Sequence, residues 1–291
     1  MPTAFIGVLF DGIAYGSLLF LISVGLSVTM GLMNFINLAH GAFAMLGGYL
    51  CVMLLGRLGL PFLLTLPLAF AAAACAGLVL ERLLYRRLYQ SSPLDQVLFS
   101  MGMTFMAVAA ATWLFGPSQQ PVALPEWLRG QVRLLGLDFG AYRLFLIALV
   151  VLIAAALGLL IGRTRFGAQV RAAVDNRQAA AGLGINVGRV FSLTFALGSG
   201  LAGLGGALGI DVLGLDPTFP IKYMVYFLLV VVVGGAGTIR GPLFAALLLG
   251  VADVAGKYYV PGIGAFVIYA LMVLLLLLFP AGLGNRLKGR A

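Results

Sequence analysis

Stretches of about twenty apolar residues recur along this chain, and polar residues collect in the gaps between them. The stretches fall near 5–32, 38–55, 62–80, 95–115, 142–162, 190–210, 222–235, 241–258 and 263–280. A helix of about 20 apolar residues can cross a bilayer because its backbone polar groups bond within the segment. Strands of a membrane barrel would instead alternate over about ten residues. Runs such as Leu271 to Phe279 are apolar on every face, which excludes that alternation. The pattern predicts an all-α polytopic membrane protein with about eight to nine transmembrane helices, some broken or re-entrant. Residues 5–55 read either as two full spans or as one span and a re-entrant segment.

The gap Met33-Asn34-Phe35-Ile36-Asn37-Leu38-Ala39-His40-Gly41 holds two asparagines and the single histidine. Broken backbone at membrane depth is tolerated only where protein buries it or water reaches it. Asn34, Asn37, His40 and Gly41 are therefore candidates for lining or gating a route through the membrane. The competing reading is that these side chains satisfy backbone groups exposed by the break. A metal site at His40 is disfavoured, since no Cys, Asp or Glu lies near it in the sequence. A proton relay is disfavoured too, for want of a second ionisable group to continue it.

A second interruption, Gly234 to Pro242, joins the β-branched run Val230 to Val233 to a Leu/Ala-rich run. Gly234, Gly235 and Gly237 read either as a tight turn between helices or as a second helix break. In the second reading the two breaks pair across an internal inverted repeat, with the substrate route at its interface. The chain has 40 glycines. Gly198, Ala202 and Gly206 recur every four residues, as do Gly205 and Gly209, which predicts a tightly packed helix. Gly198 to Gly203 is formally G-x-G-x-x-G, but it lies inside a span and lacks the preceding strand that a nucleotide site needs.

Composition agrees with the pattern. The 291 residues are 62% hydrophobic and 9% charged, and mean hydropathy is +1.11. Soluble domains carry about 25% charged residues. The net charge of +9 sits between spans, so it does not point to nucleic acid. Glu81-Arg82 with Arg86-Arg87, then Arg163, Arg165, Arg171, Arg177 and Arg189, then Arg286, Lys288 and Arg290 mark three cytoplasmic regions by the positive-inside rule. The 116–141 and 211–221 loops, with Glu126, Asp138, Asp211 and Asp216, fit the opposite side. The N-terminus is thus expected outside and the C-terminus inside, with about nine crossings. No basic residue precedes the first apolar run, so no cleavable signal peptide is expected. Cys51 and Cys75 lie in apolar stretches and suggest neither a disulfide nor a metal site.

The basic loop at 163–190 is regular and rich in alanine between Ala168 and Ala181. It predicts a helix along the membrane surface that ends in glycine and can dock in the groove of a soluble partner. The bland reading is a solvated loop that only fixes topology. Here Gln178-Ala179-Ala180-Ala181-Gly182-Leu183-Gly184 resembles the EAA-type coupling loop of ABC-importer permeases, with Gln178 where many have glutamate. Gly31 to Phe43 closely resembles the signature of branched-chain amino acid ABC permeases. Thr164-Arg165-Phe166-Gly167, Arg171-Ala172, Gly184-Ile185-Asn186, and Val233 to Ile239 with Gly241 are similar to that family as well.

The resemblance implies one transmembrane permease domain over 1–291 in a bacterial inner membrane. It implies a second, related permease as heterodimer partner, two cytoplasmic ATP-binding subunits and a periplasmic substrate-binding protein. Arg171, Asp175, Gln178, Ala179, Ala180 and Gly184 would form the ATPase-coupling loop. The chain itself is expected to bind no cofactor and to be no enzyme. It contains no G-x-x-x-x-G-K-[ST], and Gly256-Lys257 is followed by Tyr258. ATP would be used by the partner subunits. The expected mechanism is alternating access for a branched-chain or related amino acid along a route poor in charge. An ion-coupled secondary transporter or a channel for a small polar solute is the alternative, although acids within spans are scarce. Asp253 and Lys257 are expected near a span end, paired on one helix face. A membrane enzyme would need a catalytic constellation that the sequence does not offer.

Overall fold

The computed structural model describes residues 2–33, 35–122, 124–134, 136–279 and 282–284. Asn34 and the basic tail with Arg286, Lys288 and Arg290 lie outside the described residues. The helices are α1 Pro2–Met33, α2 His40–Leu58, α3 Phe62–Leu83, α4 Pro93–Phe115, α5 Glu126–Arg129, α6 Ala141–Arg163, α7 Arg165–Asp175, α8 Arg177–Gly182, α9 Val187–Leu213, α10 Phe219–Gly234, α11 Arg240–Tyr259 and α12 Gly264–Leu278. A 3-10 turn spans Tyr85–Leu88. Strands β1 Gln131–Leu134 and β2 Leu137–Gly140 form a small antiparallel hairpin, which the apolar pattern does not anticipate.

Every apolar stretch becomes a helix. Seven helices (α1 to α4, α6, α9 and α11) are long and apolar enough to cross a membrane. The chain is a multi-pass membrane protein. The 5–55 region forms two helices of that length and composition, α1 and α2. Helices α10 and α12 have 16 and 15 residues. At about 1.5 Å per residue they fall short of a hydrocarbon core of roughly 30 Å. Local chemistry sets the ends. Ser92 and Asp95 form a reciprocal capping box that starts α4, with Pro93 in the first turn. Gly59, at φ +62°, ends α2.

Helices α1 and α9 run antiparallel through the centre, with Gly25 against Gly198 and Ile22 against Gly205. Helix α1 packs on α10 and α11, and α9 packs on α2 and α3. Each long helix therefore inserts against the second and third helices of the other triad. The triads α1–α2–α3 and α9–α10–α11 share one order. Because their first helices are antiparallel, the triads are inverted.

The equivalent breaks differ from those read in the sequence. Residues 35–39 precede α2, and their counterpart is 214–218, which lies between α9 and α10. Residues 235–239 instead match the 59–61 turn. The polar loop expected at 211–221 is shorter, since α9 continues through Asp211 to Leu213 and ends at Gly214, φ +74°. The two equivalent breaks meet: a Cβ on Gly41 would lie 3.0 Å from Pro220 Cα, at the start of α10.

Small residues make this possible. Helices in lipid associate through close packing rather than a hydrophobic drive. A Cβ on Gly47 or Gly206 would run into the backbone of Gly203 or Ala44. Gly158 on α6 has nothing within 4 Å. Gly206→Leu is expected to cost about 1–3 kcal/mol or more by overpacking and to cut the yield of monodisperse protein on gel filtration severalfold. Gly158→Ala should leave the yield unchanged. Equal yields would show that these contacts do not hold the bundle.

Candidate coupling and gating site

The central loop folds as two short helices, not the single helix expected. Thr164 Oγ1 accepts from Gly167 N (3.1 Å) and starts α7. Asn176 is extended, at φ −155°, and breaks the helix; its Oδ1 accepts from Ala179 N (2.9 Å) and starts α8. Asn186 Oδ1 likewise accepts from Arg189 N (3.0 Å) and starts α9. Gly184 takes φ +82°, a conformation that favours glycine. Arg171 donates to the Ile161 carbonyl and ties α7 to the end of α6. Asp175, Gln178, Ala179 and Gly184 are exposed. Ala180 is only 2% exposed, so it anchors α8 rather than presenting a docking face. Leu183 is 82% exposed and stands at the tip.

The α7 helix sits beside the 235–239 turn, with Val174 Cγ1 3.9 Å from a Cβ built on Gly237. Gly235 and Gly237 have φ of +87° and +77°, which gives the turn its shape. Gly234 packs on Gly241 and Pro242 across it. The turn is bonded to α1. Gly237 N donates to the Ser27 carbonyl (2.8 Å), and Ser27 Oγ donates to the Thr238 carbonyl (3.0 Å). Gly31 lies against the Gly237 backbone. These glycines therefore build a turn clamped to α1, and their positions match the turn reading.

Five residues before Ser27, α1 also holds the first break. His40 Nε2 lies 2.8 Å from the Ile22 carbonyl. A carbonyl only accepts, so Nε2 carries the proton. Asn37 Oδ1 accepts from Ala39 N (3.1 Å) and from the Tyr85 hydroxyl (3.3 Å). Both side chains are buried. They clasp the break to α1 and to the 3-10 turn after α3.

A cavity of about 860 Å³ lies between α1, α6, α7 and α11. Its walls are apolar, and Arg171, Asp175, Gly237 and Arg240 are among its polar or turn residues. The structure thus brings part of the 163–190 loop together with the second interruption. Asn37 and His40 do not line this cavity.

Several residues here escaped the sequence reading. Ser27, in an apolar run, and Tyr85, beside Arg86-Arg87, gave no signal. Asp253, expected near a span end, is 1% exposed in the second half of α11. Its Oδ2 accepts from Lys257 Nζ (2.6 Å), as the four-residue spacing anticipates, while Oδ1 has no hydrogen-bond partner. Among the described residues no group of His, Cys, Asp and Glu could hold a metal ion.

The fold is thus a glycine-packed pair of inverted membrane triads that carries a short helix pair beside the turn between α10 and α11. The chain belongs to the family of branched-chain amino acid transport system permease components, which it matches over residues 8–276. It is 29% identical to the high-affinity branched-chain amino acid transport system permease protein LivH of Salmonella typhimurium, over 97% of this chain and 96% of that one. It is 28% identical to LivH of Escherichia coli K12 over the same shares. It is 29% identical to BraD of Pseudomonas aeruginosa, over 96% of this chain and 95% of that one. No solved structure gives a significant match.

Ser27→Ala removes the hydroxyl that holds the 235–239 turn. It is expected to destabilise the protein by about 1 kcal/mol, read as a lower melting temperature of the solubilised protein. His40→Ala leaves the Ile22 carbonyl without this donor and should impair uptake in cells. Unchanged melting and unchanged uptake at normal expression would show that the clasp from α1 to both breaks is dispensable.

Proposed function

We propose that this chain is a transmembrane subunit of an ABC importer of the bacterial inner membrane, and that it passes branched-chain or related amino acids by alternating access. The observation that carries this reading is the α7–α8 pair. It rests on the turn clamped to α1 and lifts Leu183 clear of the surface. In this reading Leu183, Gln178 and Ala179 dock in a groove of a cytoplasmic ATPase. Closure of the ATPase pair shifts α7 against the 235–239 turn. The turn moves α1, and α1 carries the break at 34–39 with it through His40. Nucleotide can drive such a change only if it binds the two states differently, and the loop is where that difference enters.

The full assembly in this reading holds a second, related permease as heterodimer partner, two ATP-binding subunits and a periplasmic binding protein. The N-terminus faces outward and the C-terminus lies in the cytoplasm. The chain binds no cofactor of its own, and its partners use ATP. Asn37, His40 and Gly41 set the shape of the route by holding the break, and the apolar walls suit a small, mostly apolar zwitterion.

Purification of the tagged chain from native membranes should bring a second hydrophobic subunit and ATPase activity with it. A chain that purifies alone, and moves solute into liposomes without ATP, would overturn the reading in favour of a secondary transporter or channel. Leu183→Asp should insert normally, weaken ATPase docking by roughly tenfold, about 1.4 kcal/mol, and lower uptake accordingly. Ala180→Glu should instead lower the amount of folded protein, because its site is buried. Full uptake with Leu183→Asp would sink the docking assignment.

A further inference from the structure

At the arginine-rich end of the bundle, arginines from separate elements converge on one pocket. A cavity of about 390 Å³ is lined by Glu81, Arg86, Arg87, Tyr89, Arg177 and Phe191, among others. A second, of about 230 Å³, adjoins it through shared Arg86 and Gly188 and adds Arg82 and Arg189. The walls come from α3 and the turn after it, from α8 and from the first turns of α9.

The one acid present is already committed. Glu81 is 1% exposed. It accepts from the Tyr89 hydroxyl (2.7 Å) and from Ser192 Oγ (2.5 Å). Burial and the bond to Glu81 both push the Tyr89 hydroxyl well above its usual pKa, so it stays a donor. Among the described residues the ion pairs are Arg133–Asp138, Arg143–Asp11 and Lys257–Asp253. None of the five pocket arginines has a carboxylate within that range. Arg177 is held over the Phe191 ring, 5.0 Å from its centroid. With Glu81 counted against Arg86, Arg87 and Arg177, the larger cavity keeps a surplus of two positive charges.

The positive-inside rule accounts for arginines at this end but not for their convergence on a cavity. Unpaired guanidinium forks match the oxygens of a phosphate. The pocket lies at the last turn of the apolar, span-length α3 and the turn after it, and headgroups meet spanning helices at their ends. Basic pockets at the ends of membrane helices take lipid headgroups. We propose that this pocket binds the phosphate of an anionic phospholipid headgroup. Bound there, the headgroup bridges α3, α8 and α9 and braces the coupling helix pair from beneath.

Two kinds of variant test it. Arg86→Gln with Arg177→Gln removes charge. Gly188→Leu fills the cavity without changing charge, since a Cβ there already comes 3.4 Å from Arg86 Nη2. The protein, purified with whatever partners it retains, is placed in nanodiscs of phosphatidylcholine alone or mixed with phosphatidylglycerol. Retained lipid is counted by native mass spectrometry, and melting temperature is read alongside. Wild type should retain phosphatidylglycerol and melt higher with it. Each arginine removed should weaken retention roughly fivefold, and Gly188→Leu should abolish it while the protein still elutes as a single species. Equal retention by wild type and Gly188→Leu would overturn the proposal, as would no retention by wild type. Stabilisation by inorganic phosphate in phosphatidylcholine discs, with no effect of phosphatidylglycerol, would overturn it in favour of a soluble anion. None of these readouts depends on transport or on the importer reading.

Discussion

The close contact of α1 with α9 is the constraint on which the rest of the bundle depends. Gly25 and Gly198 bring two backbones together where a side chain on either would intrude. With the centre fixed, each long helix reaches the second and third helices of the opposite triad. Lipid tails give helices little reason to associate beyond packing and hydrogen bonds. Glycine on α9 supplies the packing on three sides, against α1, α2 and α3. The exchange of helices between triads follows, and neither triad is complete without the other.

That exchange explains where the polar residues sit. A break in a helix leaves donors and acceptors that lipid cannot satisfy. Here they are met by the central helix: Ser27 holds one interruption and Ile22 receives His40 from the other. The 235–239 turn also lies beside α7. Helix α1 therefore links the surface helix pair to the start of α2 through hydrogen bonds and glycine contacts. Such a chain of contacts is a physical route for coupling, and it acquires energy only if the linked elements have two arrangements.

The spans were legible because apolar runs of this length have one structural outcome in lipid. The pairing of breaks was not. Gly234 to Pro242 drew attention through its glycines and proline, whereas the true counterpart of 35–39 is the short segment 214–218. Leu215-Asp216-Pro217-Thr218 looked like part of a longer loop, because Asp211 reads as a loop residue until α9 is seen to carry it. The 163–190 loop reads as one helix, yet the capping of α8 by Asn176 divides it in two. Ala180 belongs to the loop motif, and a motif does not reveal that its side chain faces inward. Asn37 and His40 were legible as unusual, and the choice between lining and clasping needed their partners.

The inverted triads also give a reason for two buried acids at opposite ends. Glu81 lies near the end of α3 and Asp253 in the second half of α11, the third helix of each triad. Each meets the first helix of the other triad. Glu81 bonds Ser192 on α9, and Lys257, the partner of Asp253, lies over Tyr15 of α1 at 5.9 Å. A buried carboxylate is costly unless its oxygens are satisfied. At the arginine-rich end both Glu81 oxygens accept from hydroxyls, and none of the ion pairs among the described residues involves the nearby guanidiniums. At the other end a single ammonium holds one oxygen of Asp253, and the second is unmet. The fold thus repeats a backbone plan but not its electrostatics. At one end both oxygens of the buried acid are bonded, and at the other one oxygen has no hydrogen-bond partner. An asymmetry of that kind suits a protein whose two faces meet different partners.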